Sequence, residues 1–204
     1  LAGLGLAATK PVLLEQVHGA EVAVIGPSDH RAGGPEEFFI PGADGAVTKE
    51  EGIVLTVRTA DCAALLLLDP VTRAIAAVHA GWRPAAAGIA ARAVEKMASL
   101  GAAPKRVLVA IGPAIGPCCY TVGDKVADRI TEEARTRVLK RDAEGNLRLD
   151  LAALNRWWLA KAGVPEENVF SVGQCTACRP DFYYSYRKEG DRAGRMMAVI
   201  ARLR

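Results

Sequence analysis

The distribution of apolar residues predicts a mixed α/β domain with mixed sheets. Short apolar runs outnumber the stretches with helical spacing, and they cluster in the first half of the chain. Strands and helices do not alternate regularly, which argues against a doubly wound parallel array. The chain has 204 residues, 50% hydrophobic and 24% charged, enough for one sizeable core. No internal repeat and no linker-like composition interrupts it, so residues 1–204 are expected to form one domain.

In chain order, the opening LAGLGLAATKP reads as the tail of a helix. Glu21–Ile25 alternates apolar and polar residues as a strand does, and the turn-rich GPSDHRAGGPEE follows. Ala43–Thr48, Ile53–Val57, Ala64–Leu68 and Ala74–Val78 are four further short strands, the last two joined by a tight turn at Asp69-Pro70. A helix is expected from Pro84, with Ile89, Ala93, Met97 and Leu100 on one face and Gly101 as its stop. Arg106–Ile111 is a strand ending in the loop IGPAIGP. Lys125–Lys140 is expected as a second helix, and Leu151–Ala162 as a third, with Asp150 as N-cap and Gly163 beyond its end. Val169–Val172 and Met196–Ala201 close the pattern as strands.

Charge and composition exclude several classes. The net charge of +3 comes with no basic run interleaved with aromatics, so no nucleic-acid partner is expected. The apolar stretch AALLLL is too short to span a bilayer, and no signal-like segment precedes the domain, so the cytoplasm is the expected compartment. Alanine is abundant, at 37 residues, which suits close helix packing. Five cysteines cannot pair completely, so free thiols are expected.

The three histidines are His18, His30 and His79. His18 precedes a strand, His79 ends one, and Cys62 lies between two, all places where a scaffold hands side chains to a cleft. Each alone is more simply a packed residue. Together two imidazoles and one thiol make a three-ligand set of the kind that leaves a metal position open, for zinc or for copper. Cys175-Thr-Ala-Cys178 is a CxxC, but Cys118-Cys119 does not supply the second CxxC of a zinc ribbon, and no helix is expected to open on it. Those four cysteines are expected to be structural thiols near buried strand ends. IGPAIG fits neither common nucleotide-loop pattern, and no G-x-S-x-G is present. Arg58, Arg83, Arg187 and Arg195 flank glycine or aromatic loops and could clamp a phosphate.

Five segments, EQVHGAEV, TADC, AVHAGWR, IGPAIGPCCYTVG and CTACRPDFYYSYRKEGDRAGR, in this order closely resemble the laccase-domain family. Members of that family are also described as polyphenol oxidases, purine nucleoside phosphorylases and peptidoglycan editing factors. The likeness runs from about Leu13 to Ala201. It implies a four-layer α/β/β/α domain and a zinc site made by His18, Cys62 and His79. It also implies phosphorolysis of adenosine, inosine and methylthioadenosine, with adenosine deamination beside it.

Two departures flank the triad: Ala64 stands where the family commonly has proline, and Pro84 where it commonly has glycine. The family's usual N-terminal segment, with its R-x-G-G-type loop, is expected to be missing ahead of the matched motifs. The leading expectation is therefore a zinc-dependent purine nucleoside enzyme. His18, Cys62 and His79 are its metal ligands and catalytic centre, Arg83 and Arg187 its anion contacts, and Tyr186 a stacking surface for the purine. Two other readings stand beside it. One is a cysteine hydrolase or amidase acting on peptidoglycan precursors, with Cys62 as nucleophile and His79 as base. The other is a copper-dependent polyphenol oxidase, for which three histidines offer too few ligands to build several copper centres.

Overall fold

A computed structural model describes residues 10–27 and 38–203. These residues form two main sheets. The first five strands are β1 (Lys10–Leu14), β2 (Val22–Ile25), β3 (Phe38–Ile40), β4 (Gly45–Thr48) and β5 (Ile53–Thr59). The hairpin of β6 (Ala63–Leu68) and β7 (Ile75–Ala80) follows, and then come α1 (Trp82–Ala86), α2 (Ile89–Ser99) and β8 (Leu108–Ile111). The second half holds α3 (Asp124–Ala127), α4 (Glu132–Val138), β9 (Leu139–Arg141), β10 (Leu147–Leu149) and α5 (Leu151–Lys161). It closes with β11 (Val169–Ser171), α6 (Tyr186–Glu189) and β12 (Met196–Arg202).

The larger sheet has the order β11-β8-β6-β7-β4-β2 and the smaller β12-β5-β1-β3, with β9 and β10 as a separate hairpin. Both main sheets mix parallel and antiparallel pairs, as the fold class expected from the strand pattern requires. Strand β7 is buried at every position, which is why IAAVHA reads as a continuous apolar run rather than an alternating one. One apolar cluster, including Leu65, Leu67, Val78, Ile89 and Leu154, lies between the larger sheet and the helices. Another, including Val12, Leu55, Val57, Ala64 and Ala77, lies between the two sheets. The layers made by the described residues are thus helix, sheet and sheet.

Several expected elements take a different form. The helix expected from Pro84 to Gly101 is two helices, because Gly88 takes φ 79° and the face of Trp158 lies 3.4 Å from where its Cβ would be. Pro84 falls in the first turn of α1, where its missing N–H costs no hydrogen bond. The segment Lys125–Lys140 is likewise broken into α3 and α4, and its end continues into strand β9. Its four-residue apolar spacing survives in part: Ile130, Ala134 and Val138 are buried. The opening residues expected as a helix tail lie outside the described residues up to position 9, and Lys10 and Pro11 begin β1. The N-cap at Asp150 is present, its side chain accepting from the Ala153 N–H at 2.8 Å. Cys118, Cys119, Cys175 and Cys178 are not buried at strand ends; they meet in one cluster in which Cys118 and Cys178 are exposed.

The turn at Asp69-Pro70 closes the β6–β7 hairpin through backbone hydrogen bonds from Asp69 to Ala74 and from Arg73 to Asp69. Asp69 is fully buried, pairs with Arg106 at 2.8 Å, and accepts from the N–H groups of Val71 and Ala103. Burial pushes its carboxyl up, but Arg106 and those N–H groups prevail and hold it down to about 2. Asp69→Ala should therefore cost about 1–3 kcal/mol, by leaving three part-buried donors without their acceptor. The contribution is full above the ordinary carboxylate value of about 4 and is lost as pH falls through about 2. Urea unfolding of both proteins from pH 7 to pH 2 checks this: the gap between them should narrow on acidification.

Candidate functional site

The site is built on the ends of three strands. The loop between β1 and β2 supplies His18, the β5–β6 connection supplies Cys62, and the last turn of β7 supplies His79. Their ligand atoms lie within 4.8 Å of one another, close enough to hold one metal ion. Cys62 Sγ is 4.0 Å from His18 Nε2, and the two imidazole rings meet edge to face at 4.8 Å.

The residue that organises the two histidines was not singled out from the sequence. Asp44, fully buried at the start of β4, accepts from the backbone N–H of His18 at 3.0 Å and of Gly19 at 2.7 Å. Its Oδ1 also accepts from His79 Nδ1 at 2.7 Å. A carboxylate beside a ring nitrogen at this distance takes the proton on Nδ1, leaving Nε2 as the free donor atom of His79. The signal available in the sequence was one acidic residue among small ones, GADGAV, ahead of an apolar strand. His18 itself takes a left-handed backbone conformation, φ 60°, which costs about 1–2 kcal/mol in a residue with a Cβ. The two N–H groups captured by Asp44 offset that strain.

Space at the centre comes from Gly81, which follows β7. A Cβ there would stand 2.8 Å from Cys62 Sγ and 3.2 Å from the His18 ring. Ala64, the first departure from the family pattern, pairs across the hairpin with His79 and leaves the ligands in place.

The triad opens into a cleft of about 600 Å³, a volume typical of small-molecule sites. All four arginines named from the sequence, Arg58, Arg83, Arg187 and Arg195, line it, as do Tyr186, Tyr120, Trp82 and Asp61. Arg83 lies over the Trp82 ring at 4.5 Å, and Arg187 over Tyr120 at 5.1 Å. The Arg187 guanidinium also donates to the Thr121 carbonyl. Among the described residues the guanidiniums of Arg58 and Arg83 are in no ion pair. Tyr186 is exposed to the cleft and donates its hydroxyl to Asp191. Asp61 ties the walls together: its carboxylate accepts from the Thr176 hydroxyl and the Arg187 N–H, both at 2.6 Å. His30 lies outside the described residues.

Burial, followed by repulsion from Asp61 and Asp44, pushes the Cys62 thiol up to about 12. Burial and the neighbouring His79 push His18 down, favouring its neutral, electron-donating form. A cation at the centre would reverse the balance at Cys62, because a coordinated thiol loses its proton.

Comparison with known proteins places this geometry. The family described as multi-copper polyphenol oxidoreductase laccase matches residues 1–203. The purine nucleoside phosphorylase YlmD of Geobacillus stearothermophilus is 40% identical over 197 residues, covering 94% of this chain and 72% of the relative. The adenosine deaminase RL5, from an unknown prokaryotic organism, is 35% identical over 206 residues, covering 98% and 78%. The crystal structure of YlmD from Geobacillus stearothermophilus superposes with a TM-score of 0.88 at 35% identity, covering all of this chain and 77% of that one.

Two substitutions probe the arrangement. Asp44→Asn removes the charge behind His79 and should weaken zinc affinity about 10–100-fold. Gly81→Ala should weaken it by displacing Cys62 or His18, while circular dichroism shows the fold retained. Competition titration against a chromophoric chelator measures both, and unchanged affinity would show that neither residue shapes the site.

Proposed function

The chain belongs to the multi-copper polyphenol oxidoreductase laccase family, and we propose that it is a zinc-dependent purine nucleoside enzyme. Its reaction in this reading is phosphorolysis of adenosine, inosine and methylthioadenosine, with adenosine deamination as a side activity. The observation that carries the reading is the convergence of His18, Cys62 and His79 at the base of a cleft walled by four arginines and two tyrosines. The relatives named for phosphorolysis and for deamination support the same pair of reactions.

His18, Cys62 and His79 would hold the zinc, a donor set that suits a three-ligand centre with an open fourth position. Bound there, zinc would polarise an oxygen of substrate or water. The chain's own residues do the rest. Asp44 fixes the tautomer and direction of His79. Arg83 and Arg187, two of the cleft's guanidiniums, would receive an anionic phosphate, with Arg58 within the same wall. Tyr186 offers a ring face for the purine, and Asp61 holds the Arg187 backbone in position. Phosphorolysis then needs a phosphate oxygen at C1′ of the ribose as the bond to the base breaks, and in this reading the arginines that line the cleft would hold that phosphate. Free thiols throughout are compatible with a cytoplasmic setting, the compartment this reading assumes.

Copper in the same ligands fits less well. A His₂Cys copper centre takes a weak axial ligand such as methionine, and among the described residues no methionine lines the cleft. Gln16 lines the cleft, but its amide is bound on both sides to the Arg58 backbone. The hydrolase reading has one specific observation in its favour, the orientation of His79 by Asp44 beside Cys62. Burial, which pushes the Cys62 thiol up and disfavours its thiolate, works against it.

One preparation assayed on inosine and adenosine, with and without phosphate, before and after chelation, separates these readings. Phosphate-dependent release of hypoxanthine and ribose 1-phosphate, lost on chelation and restored by zinc, is expected. Activity that survives chelation, with a covalent adduct trapped on Cys62, would transfer the assignment to a cysteine hydrolase.

A further inference from the structure

The other four cysteines converge away from the triad. Cys118 and Cys119 lie in the turn that follows β8, while Cys175 and Cys178 lie in the turn that follows β11. A parallel bridge between Ala114 and Cys175 joins the two turns. All four sulfurs lie within 4.8 Å of one another; Cys178 Sγ is 3.5 Å from that of Cys118 and 3.4 Å from that of Cys119. Four thiolates on one tetrahedral zinc, with bonds of about 2.3 Å, stand about 3.8 Å apart, so the two short separations would lengthen by a few tenths of an ångström and the longer ones contract to close the shell.

Gly116 supplies a second, independent observation. Its N–H donates to Cys175 Sγ at 3.2 Å, the kind of backbone contact that orients a metal-bound sulfur. A Cβ at this position would stand 3.2 Å from Cys175 Cβ and 3.3 Å from Cys118 Sγ. The glycine therefore leaves the four sulfurs both their room and a donor.

We propose that Cys118, Cys119, Cys175 and Cys178 form a second, structural metal site for zinc or a similar thiophilic divalent cation. Four protein ligands close the coordination shell, so the ion would bind no substrate. A vicinal pair takes the place of the second CxxC, which is why the sequence spacing does not announce the site. The two turns it would clamp also reach the cleft: Ile115 and Tyr120 of one line it, and Thr176 of the other donates to Asp61, which lines it. The site would thus brace the loops around the arginines without touching the reaction. The proposal stands on these four residues and does not rest on the reading of the cleft.

The test is the zinc content of the full chain, purified under reductant, loaded with excess zinc and freed of unbound metal, counted by native mass spectrometry. Wild type should hold two zinc ions per chain. His18→Ala and Cys178→Ser should each hold one, and the double variant none. X-ray absorption of zinc-loaded His18→Ala should show an all-sulfur shell at about 2.3 Å, a readout that does not depend on making a cysteine variant. Gly116→Ala should lose the second zinc ion at chelator concentrations that wild type withstands. A single zinc ion in wild type, retained in His18→Ala and leaving none in Cys178→Ser, would uphold this site while overturning the cleft reading. A single zinc ion that disappears in His18→Ala, nitrogen in that variant's zinc shell, or a disulfide from Cys178 to Cys118 or Cys119 under reductant would overturn the second site.

Discussion

The carboxylate of Asp44 is the constraint on which the site depends. It is fully buried, and a buried charge is tolerated when its oxygens are taken up by donors. Here the donors are the His18 and Gly19 N–H groups and the His79 ring, so satisfying one buried charge positions two of the three candidate ligands. The Asp44 carbonyl also accepts from the His79 N–H at 2.7 Å, which fixes the backbone from which the ring projects. Backbone and side chain of one residue therefore determine both the place and the tautomer of His79.

The sheets explain why such a charge is shielded from bulk solvent. Strand β4, which Asp44 precedes, pairs with β7 and β2 in the interior of the larger sheet, and the β6–β7 hairpin places Cys62 beside the same strand ends. The smaller sheet packs against the larger through Leu55, Val57, Ala64 and Ala77, and closes off the far side. What remains open is the rim, where Arg58 from β5, Arg83 from α1 and Arg187 from α6 reach the cleft from separate elements. An apolar scaffold thus carries a polar centre and a cationic mouth. Asp61, itself at φ 83°, ties the mouth to the centre through Thr176 and Arg187.

Much of this was legible in the sequence where the determining interactions are local. The β6–β7 turn, the N-cap at Asp150 and the strand-edge positions of His18, Cys62 and His79 follow from neighbouring residues. What escaped was set by partners far along the chain. Asp44 acts on residues 26 and 35 positions away, so no local pattern marks it. The helix break at Gly88 answers to Trp158, which lies on α5. Strand β1 begins with Lys-Pro, a poor strand signal, yet pairs with both β3 and β5. The hairpin of β9 and β10 has three residues to a strand, too few for a run of alternation to mark it, and only Leu149 in it is buried.

The central claim is that Asp44 presents His18 and His79, with Cys62, as one metal-binding centre. Anomalous diffraction at the zinc edge from crystals grown with zinc and phosphate tests it most directly. The expected density is a peak about 2.0–2.3 Å from His18 Nε2, His79 Nε2 and Cys62 Sγ, with His79 Nδ1 still bonded to Asp44. A cleft without a peak at saturating zinc, or an ion held through His79 Nδ1 with Asp44 released, would contradict it.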